Sequence, residues 1–147
     1  MMRVLVLNGP NLARLGSREP EVYGTATLQD LTEACVAAGR QLGLHVEVRQ
    51  TDDEAELLGW VHEAADGRVP VVLNPAAFTH YSYALRDALA MRTAPLVEVH
   101  LTNPAAREAF RHISVVAGVA DGTVAGFGLF SYELALRAVA SMIAGLP

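Results

Sequence analysis

Residues 3–11 read RVLVLNGPN, and this stretch decides the fold. Its apolar run, residues 4–7, has no polar alternation and stops at Asn8 and a glycine–proline pair. A short apolar run of this kind predicts a strand buried on both faces, which is typical of a parallel sheet covered by helices. The polar residues that follow predict a functional loop at the carboxyl end of that strand.

Beyond this strand, helical and strand patterns alternate. After a long loop, Thr27 is expected to cap a helix that Gly43 ends, and residues 44–50 alternate as a strand. Asp53 and Glu56 predict a capping box for the next helix. The remaining predicted elements are a strand at 69–73, a helix through Tyr83, Leu85 and Leu89, a strand at 96–100, a short helix begun by Asn103 and Pro104, a strand near 122–126, and a closing helix with Tyr132, Leu134, Leu136, Val139 and Ile143.

This order of elements predicts an α/β protein. Strands and helices joined by right-handed crossovers give a parallel sheet with helices on both faces. Five strands favour a flavodoxin-like three-layer sandwich with strand order 2-1-3-4-5, formed by residues 1–147 as a single domain. Ligands bind such sheets beyond the carboxyl ends of the strands, so the residues after strands one, three and four are the candidates for chemistry.

Composition excludes several classes of protein. The chain is 52% hydrophobic and 18% charged, which excludes intrinsic disorder and predicts apolar surface shared within a homo-oligomer. The net charge is −5, and all 11 basic residues are arginines, so we expect no nucleic-acid partner. No apolar run approaches the roughly 18 residues of a membrane span and no signal peptide is recognisable, so a cytoplasmic protein is predicted.

The same composition limits the chemistry. Without lysine, the chain has no side chain that can form a Schiff base with a ketone. Cys35 lies at an apolar helix position, which predicts a buried thiol. The 5 histidines form no His-x-x-x-His pair and have no partner cysteines, so we expect neither a metal nor a cofactor.

Residues 8–24, NGPNLARLGSREPEVYG, place Asn11, Arg14, Arg18 and Tyr23 in one loop. A solvated, turn-rich loop is the alternative interpretation. A tyrosine, with an ordinary pKa near ~10, is a poor base at neutral pH. A guanidinium within a few ångströms favours the phenolate, so the sequence predicts that Arg14 and Arg18 lie near Tyr23 and make it a base.

Glu98 and His100 stand two residues apart on the fourth predicted strand and therefore point to the same face. A carboxylate bonded to an imidazole fixes its tautomer and raises its proton affinity, which suits a general acid. An exposed pair on an edge strand is the alternative, but the apolar neighbours Leu96, Val97 and Val99 favour an internal strand.

Two further clusters follow strand ends and are less specific. After strand three come Asn74, Thr79, His80 and Ser82, which could bind hydroxyl groups or stabilise the loop. After strand four come Asn103, Pro104, Arg107 and Arg111, where two arginines one turn apart could face an anion or simply be solvated.

The chain resembles the type II 3-dehydroquinate dehydratases, or type II dehydroquinases, on the loop quoted above followed in order by NPAAFTH, EVHLTN and RHIS. The resemblance spans almost the whole chain. It implies a flavodoxin-like fold, trimers grouped into dodecamers, and conversion of 3-dehydroquinate to 3-dehydroshikimate and water through an enolate, in the shikimate pathway of aromatic amino-acid biosynthesis. The missing lysine is consistent with it, because the unrelated type I enzymes depend on one.

The resemblance also implies roles for individual residues. Tyr23 would take a proton from the carbon beside the ketone, with Arg18 lowering its pKa. Asn11 would hold a water that stabilises the enolate, and His100, assisted by Glu98, would protonate the departing hydroxyl. The substrate residues would be the backbone amides of Leu101 and Thr102 together with Asn74 for the carboxylate, His80 and Arg111 for the ring hydroxyls, and Arg107 near the site.

Some residues depart from the family pattern. Ala76 and Ala77 stand where the family often has glycine, which restricts the backbone close to the substrate. Ala13 and Leu101 also replace more usual residues. None of these changes removes a proposed catalytic group.

The alternative from another class is a non-catalytic flavodoxin-like module that binds a nucleotide, a flavin or a cyclic acid. The loop after strand one has no glycine-rich phosphate cradle, and Asn74 stands where a phosphoacceptor domain has an acidic residue. These observations disfavour the nucleotide and flavin readings but leave a non-catalytic binder of a cyclic acid open.

Overall fold

The computed structural model describes residues 1–145. Its strands and α-helices are, in chain order, β1 Met2–Asn8, α1 Pro20–Tyr23, α2 Leu28–Gln41, β2 Leu44–Gln50, α3 Glu54–Gly67, β3 Val71–Asn74, α4 Tyr83–Leu89, β4 Leu96–His100, β5 Gly122–Ala125 and α5 Phe130–Ile143. Short 3-10 turns lie at Leu12–Arg14, Ala76–His80, Pro104–Ala106, Ala109–Arg111 and Ala117–Val119.

The five strands form one parallel sheet in the order β2-β1-β3-β4-β5, which confirms the predicted topology. In the register of the sheet, Asn8 at the end of β1 is paired with Asn74 at the end of β3. His100 ends β4, the next strand along. The polar residues that follow these three strands therefore meet at one edge of the sheet.

Two apolar cores lie on opposite faces of the sheet. One packs α2 and α5 against the strands and includes the fully buried Leu31 and Leu136. The other packs α3 and α4 against the opposite face and includes Leu57 and Leu85. Cys35 belongs to the first core, as predicted, and burial raises the pKa of its thiol to about 12, so it stays protonated.

The starts of α2 and α3 are determined by side chains that cap the first backbone amides. Thr27 caps α2 with both halves of a capping box, since its hydroxyl accepts from the Asp30 amide at 3.1 Å and the Asp30 carboxylate accepts from the Thr27 amide at 2.9 Å. The box predicted at Asp53 and Glu56 is wrong. Asp53 caps α3 through the Ala55 amide, but its own amide donates to the Thr51 hydroxyl at 3.0 Å.

Other boundaries differ from the prediction for stated reasons. β3 begins at Val71 rather than at residue 69, because the Val69 amide donates to Ala64 at the end of α3 and Pro70 has no amide hydrogen. The predicted loop before residue 26 contains α1, which Pro20 begins. None of the helices within residues 1–145 has both the length and the apolarity needed to cross a membrane.

Candidate active site

A cleft opens at the carboxyl edge of the sheet, and its volume of about 120 Å³ is well below the roughly 300–1,000 Å³ of pockets for drug-sized ligands. It therefore suits a small, single-ring molecule. Of the residues to which the family resemblance gives a role, every one except Glu98 lines this cleft: Asn11, Arg18, Tyr23, Asn74, His80, His100, Leu101, Thr102, Arg107 and Arg111.

Glu98 lies behind the cleft wall and contacts the site through His100. Its side chain is 2% exposed, and its Oε2 lies 2.5 Å from Nε2 of His100. Because a carboxylate accepts, this ring nitrogen carries the hydrogen. The alternation of residues along β4 thus brings the pair together as predicted, on an internal strand.

Ser114 completes this pair and was not predicted. Its hydroxyl oxygen lies 3.0 Å from both Glu98 carboxylate oxygens. The Ala117 amide donates to the same hydroxyl oxygen, which turns the hydroxyl hydrogen toward Glu98. The only sequence signal was its place in the RHIS segment, since its distance from Glu98 along the chain gives no hint of the contact.

Tyr23 lies at the last residue of α1 and contacts two guanidinium groups. The guanidinium carbon of Arg18 is 4.6 Å from the centre of the phenol ring, and that of Arg107 is 5.0 Å from it. Arg18 arrives from the same loop, whereas Arg107 follows β4. Both guanidiniums therefore lie within cation–π distance of the same ring.

The prediction that Arg14 is the second arginine beside Tyr23 is wrong, because Arg107 takes that position. Arg14 is exposed, it does not line the cleft, and its charge acts on Asp52 instead. The pKa of Asp52 is lowered first by the hydrogen bond from the Asn11 amide, at 2.9 Å, then by Gln50 and by the Arg14 charge. This bond holds Asn11 in a left-handed conformation, with φ 70°, at the edge of the cleft.

Asn74 is 4% exposed, and both ends of its side-chain amide are engaged. Its nitrogen donates to the Tyr132 hydroxyl at 2.9 Å, and its oxygen accepts from the Ala76 amide at 3.1 Å. The Tyr132 hydroxyl donates in turn to Asn8 Oδ1 at 2.6 Å. The sequence pattern predicted Tyr132 only as part of the apolar face of the closing helix, so these polar contacts were missed.

The loop after β3 forms one wall of the cleft. Ala76 has φ +52°, a left-handed conformation that favours glycine. Alanine in place of the family's glycine therefore restricts the backbone at a residue that lines the cleft, as expected. Gly9 lets the loop after β1 lie close by, because a Cβ atom there would meet the Pro75 carbonyl oxygen at 2.6 Å.

His80 lines the cleft, and its Nδ1 lies 2.8 Å from the Ile113 carbonyl oxygen. Nδ1 therefore carries the hydrogen, which leaves Nε2 as an acceptor for a ligand hydroxyl. Thr79 and Ser82, which the sequence grouped with His80, do not line the cleft. Thr79 is buried, and Ser82 caps α4 through the Leu85 amide.

The far wall carries positive charge. Arg111 lines the cleft with its guanidinium paired to the exposed carboxylate of Glu108 at 3.0 Å, and this pairing lowers the pKa of Glu108. The Arg107 guanidinium lies 3.5 Å from the Thr102 hydroxyl. With Arg18, three guanidiniums line the cleft of a chain whose net charge is −5, which suits an anionic ligand.

Within residues 1–145, no three His, Cys, Asp or Glu side chains come together as a metal site.

Comparisons with known proteins agree with one another. The model of the family described as dehydroquinase class II matches residues 2–140. The 3-dehydroquinate dehydratase of Salinispora tropica is 64% identical over 140 residues, covering 95% of this chain and 98% of that protein. The protein of the same name from Kineococcus radiotolerans is 57% identical over 144 residues, covering 98% and 99%.

Solved structures give the same result. The type II dehydroquinase from Propionibacterium acnes superposes with a TM-score of 0.94 at 57% identity, covering 96% of this chain and 97% of that one. The type II dehydroquinase from Butyrivibrio crossotus superposes with a TM-score of 0.91 at 39% identity, covering 94% and 97%.

Proposed function

This chain belongs to the class II dehydroquinase family, and we propose that residues 1–147 act as a single catalytic domain, a hydro-lyase that converts 3-dehydroquinate to 3-dehydroshikimate and water. One observation carries the proposal. A phenol in contact with two guanidiniums faces the same small cleft as an imidazole backed by a buried carboxylate. This is the pairing of a base with an acid that the elimination of water requires.

In the first step, the Tyr23 phenolate removes a proton from the carbon beside the ketone, and the electron pair moves to the ketone oxygen as an enolate. Arg18 and Arg107 would support this step, because their guanidinium carbons lie 4.6 and 5.0 Å from the ring centre and their positive charge would attract the negative charge of the phenolate. Asn11, at the edge of the cleft, would hold the water that donates to the enolate oxygen.

In the second step, the enolate electrons return to form a ring double bond conjugated with the ketone, and the hydroxyl group leaves. His100 donates a proton to this hydroxyl, which departs as water. Because Nε2 of His100 is committed to Glu98, Nδ1 is the nitrogen that would exchange this proton. Glu98 stabilises the imidazolium, and Ser114 holds Glu98 in place.

The remaining residues of the cleft would bind the substrate. We assign its carboxylate to the backbone amides of Leu101 and Thr102 and to Asn74, whose second amide hydrogen is left after the bond to Tyr132. His80 would accept from a ring hydroxyl through Nε2, and Arg111 would donate to another.

We further propose that the chain works as a homo-oligomer, built from trimers into a dodecamer. Large apolar side chains stand exposed on the single chain: Tyr81, Phe110, Ile113 and Phe127 between the regular helices and strands, Tyr83 and Phe130 at the starts of α4 and α5, and Met91 after α4. Contact between subunits would remove this surface from water. A role in the shikimate pathway of aromatic amino-acid biosynthesis accompanies the proposed reaction, and the cytoplasmic location stays a prediction.

The test is an absorbance assay on protein from which metals have been stripped with a chelator. We expect 3-dehydroquinate to be consumed with a rise in the near-ultraviolet absorbance of the conjugated product. The same rate before and after chelation would support a reaction that needs no metal. Absence of turnover in either sample would contradict the proposed function and favour a non-catalytic binder of a cyclic acid.

A further inference from the structure

We propose that Tyr132 is a positioning residue for the dehydratase reaction: its hydroxyl fixes the orientation of Asn74, and through Asn74 it fixes the Ala76 peptide that lines the cleft. This inference rests on the proposed function, because it assigns the effect to substrate binding. Tyr132 itself lies on α5 behind the cleft wall and does not line the cleft.

The hydrogen bonds that surround Tyr132 can run in one direction only. Asn8 Nδ2 donates to the Arg49 carbonyl oxygen at 3.1 Å, and a carbonyl can only accept, so Oδ1 is the Asn8 atom that faces Tyr132. The Tyr132 hydroxyl must therefore donate to Asn8. Having given its hydrogen away, the Tyr132 oxygen is an acceptor, and the atom of Asn74 that faces it must be the amide nitrogen.

This direction determines what Asn74 presents to the cleft. With Nδ2 toward Tyr132, Oδ1 of Asn74 faces the Ala76 amide, from which it accepts at 3.1 Å. The second hydrogen of Nδ2 remains for an anionic ligand. Were the amide turned over, its oxygen would take the place of Nδ2 and face the expected position of the substrate carboxylate, and two acceptors would repel each other.

The Ala76 peptide depends on the same bond. Ala76 has φ +52°, and an alanine held in the left-handed region persists only where the surrounding structure holds it. The bond from its amide to Asn74 is one such restraint. Tyr132 therefore supports a strained residue of the cleft indirectly, through Asn74.

Burial makes this chain of bonds strong and its loss harmful. Asn8, Asn74 and Tyr132 are 0%, 4% and 1% exposed, so water does not replace a missing partner. Burial also raises the pKa of Tyr132 far above its ordinary range, so the hydroxyl keeps its hydrogen. Phenylalanine would fill the same core space and would remove only the oxygen.

The experiment compares Tyr132→Phe with Ser131→Ala in the absorbance assay. Ser131 is the preceding residue on α5, is equally buried, and accepts from the Phe127 amide at 2.9 Å, with no contact to Asn74. Both variants lose one buried hydroxyl, and both are assayed well below their Tm. We expect Tyr132→Phe to raise KM about tenfold with kcat within about threefold of the wild type.

Two outcomes would overturn the positioning role. One is an unchanged KM in Tyr132→Phe. The other is an equal rise in Ser131→Ala, which would show a general response to damage in α5. Should Tyr132→Phe fail to fold, the comparison is made in an Ala76→Gly background, where the left-handed strain at residue 76 is absent. If adding Tyr132→Phe to that background does not raise KM, the positioning role is equally overturned.

A second measurement separates this inference from the proposed function. Hydrogen exchange of the Ala76 amide, followed by NMR, reports the bond to Asn74 without any substrate. We expect about tenfold faster exchange in Tyr132→Phe and no change at the Leu57 amide of α3. Faster exchange of the Ala76 amide in Tyr132→Phe, together with no turnover by the wild-type chain, would contradict the proposed reaction alone. Unchanged exchange of this amide would contradict the role of Tyr132.

Discussion

At the scale of single residues, the site owes its chemistry to charges that meet from distant parts of the chain. Tyr23 contacts Arg18 from its own loop and Arg107 from the segment after β4. His100 contacts Glu98 on the same strand, and Glu98 contacts Ser114 beyond the next turn. The proposed base thus contacts one near and one distant partner, and the proposed acid contacts Glu98, which in turn contacts the more distant Ser114.

Tyr23→Phe tests the base. We expect kcat to fall by roughly 10³-fold or more, because the phenyl ring has no oxygen to take the proton. Substrate affinity, measured by calorimetry, should change by less than about threefold, since the ring and the guanidiniums that contact it remain. Tyr83→Phe is the matched control, because Tyr83 is 70% exposed and does not line the cleft. An active Tyr23→Phe enzyme would require a different base.

The identities of the proposed groups could be predicted from sequence, but some of their partners could not. Polar residues at the ends of buried strands gave Asn74 and His100 without any structure. Arg14 was the wrong second arginine, because closeness along a loop does not fix which side chains turn inward. Ser114 and Tyr132 were missed as partners, because their contacts to Glu98 and Asn74 depend on how distant segments pack.

At the scale of elements, an ion-pair network ties β1, β2 and α3 together at the sheet surface. Arg3 and Arg49 both bind Glu63 of α3, at 2.8 and 3.0 Å, and both also contact Glu47 of β2. Hydrogen bonds from Arg49 first, and then from Arg3, lower the pKa of Glu63 to about 2. The pairing therefore stabilises the folded chain only while Glu63 is ionised.

Glu63→Gln tests this network through its pH dependence. A carboxyl whose pKa is lowered on folding contributes stability above its ordinary value near 4.5, and loses it as the pH falls toward 2. Because Glu63 is 41% exposed, we expect a loss of only about 1 kcal/mol in unfolding free energy at pH 7. Urea titrations at fixed protein concentration should show this difference shrinking below pH 4.5 and vanishing near pH 2.

The control for this series is Glu33→Gln, at an exposed carboxylate on α2 that accepts from Gln29. It should leave the unfolding free energy nearly constant across the same range. A Glu63→Gln difference that does not depend on pH would show that the network contributes through packing instead.

Element boundaries show where sequence patterns stop being decisive. Periodicity and capping residues located every strand and most helices, including the start of α2 at Thr27. The competition between Glu56 and the Thr51 hydroxyl for the Asp53 amide is settled by geometry that no pattern contains. The late start of β3 follows from Val69, whose amide is taken by the end of α3.

At the scale of the whole molecule, several large apolar side chains stand exposed on the single chain. Phe110 and Ile113 are 61% and 70% exposed beside Arg111, and Phe127 is 62% exposed before α5. β5 is also an edge strand of the sheet with no further strand beside it among residues 1–145. Association of subunits over these surfaces would shield them from water.

Sedimentation velocity tests the assembly. We expect a mass corresponding to a dodecamer of the 15.7 kDa chain, with trimers as the smaller species on dilution. Phe127→Asp should shift the population toward smaller species, because a charge replaces an exposed apolar ring. Gln41→Ala, at an exposed polar position on α2, should not. A wild-type chain that sediments as a monomer at micromolar concentration would contradict the proposed assembly.

The hydrogen bond from Asn74 to Tyr132 also sets an order of events during synthesis. A ribosome releases Tyr23, Asn74 and His100 before it reaches α5, and at about 5–20 residues per second Tyr132 follows His100 by roughly a few seconds. A nascent chain thus contains the proposed acid and base before Tyr132 is available to accept the bond from Asn74. The bond that orients Asn74 therefore forms only when the final helix docks, after the proposed reactive groups have been synthesised.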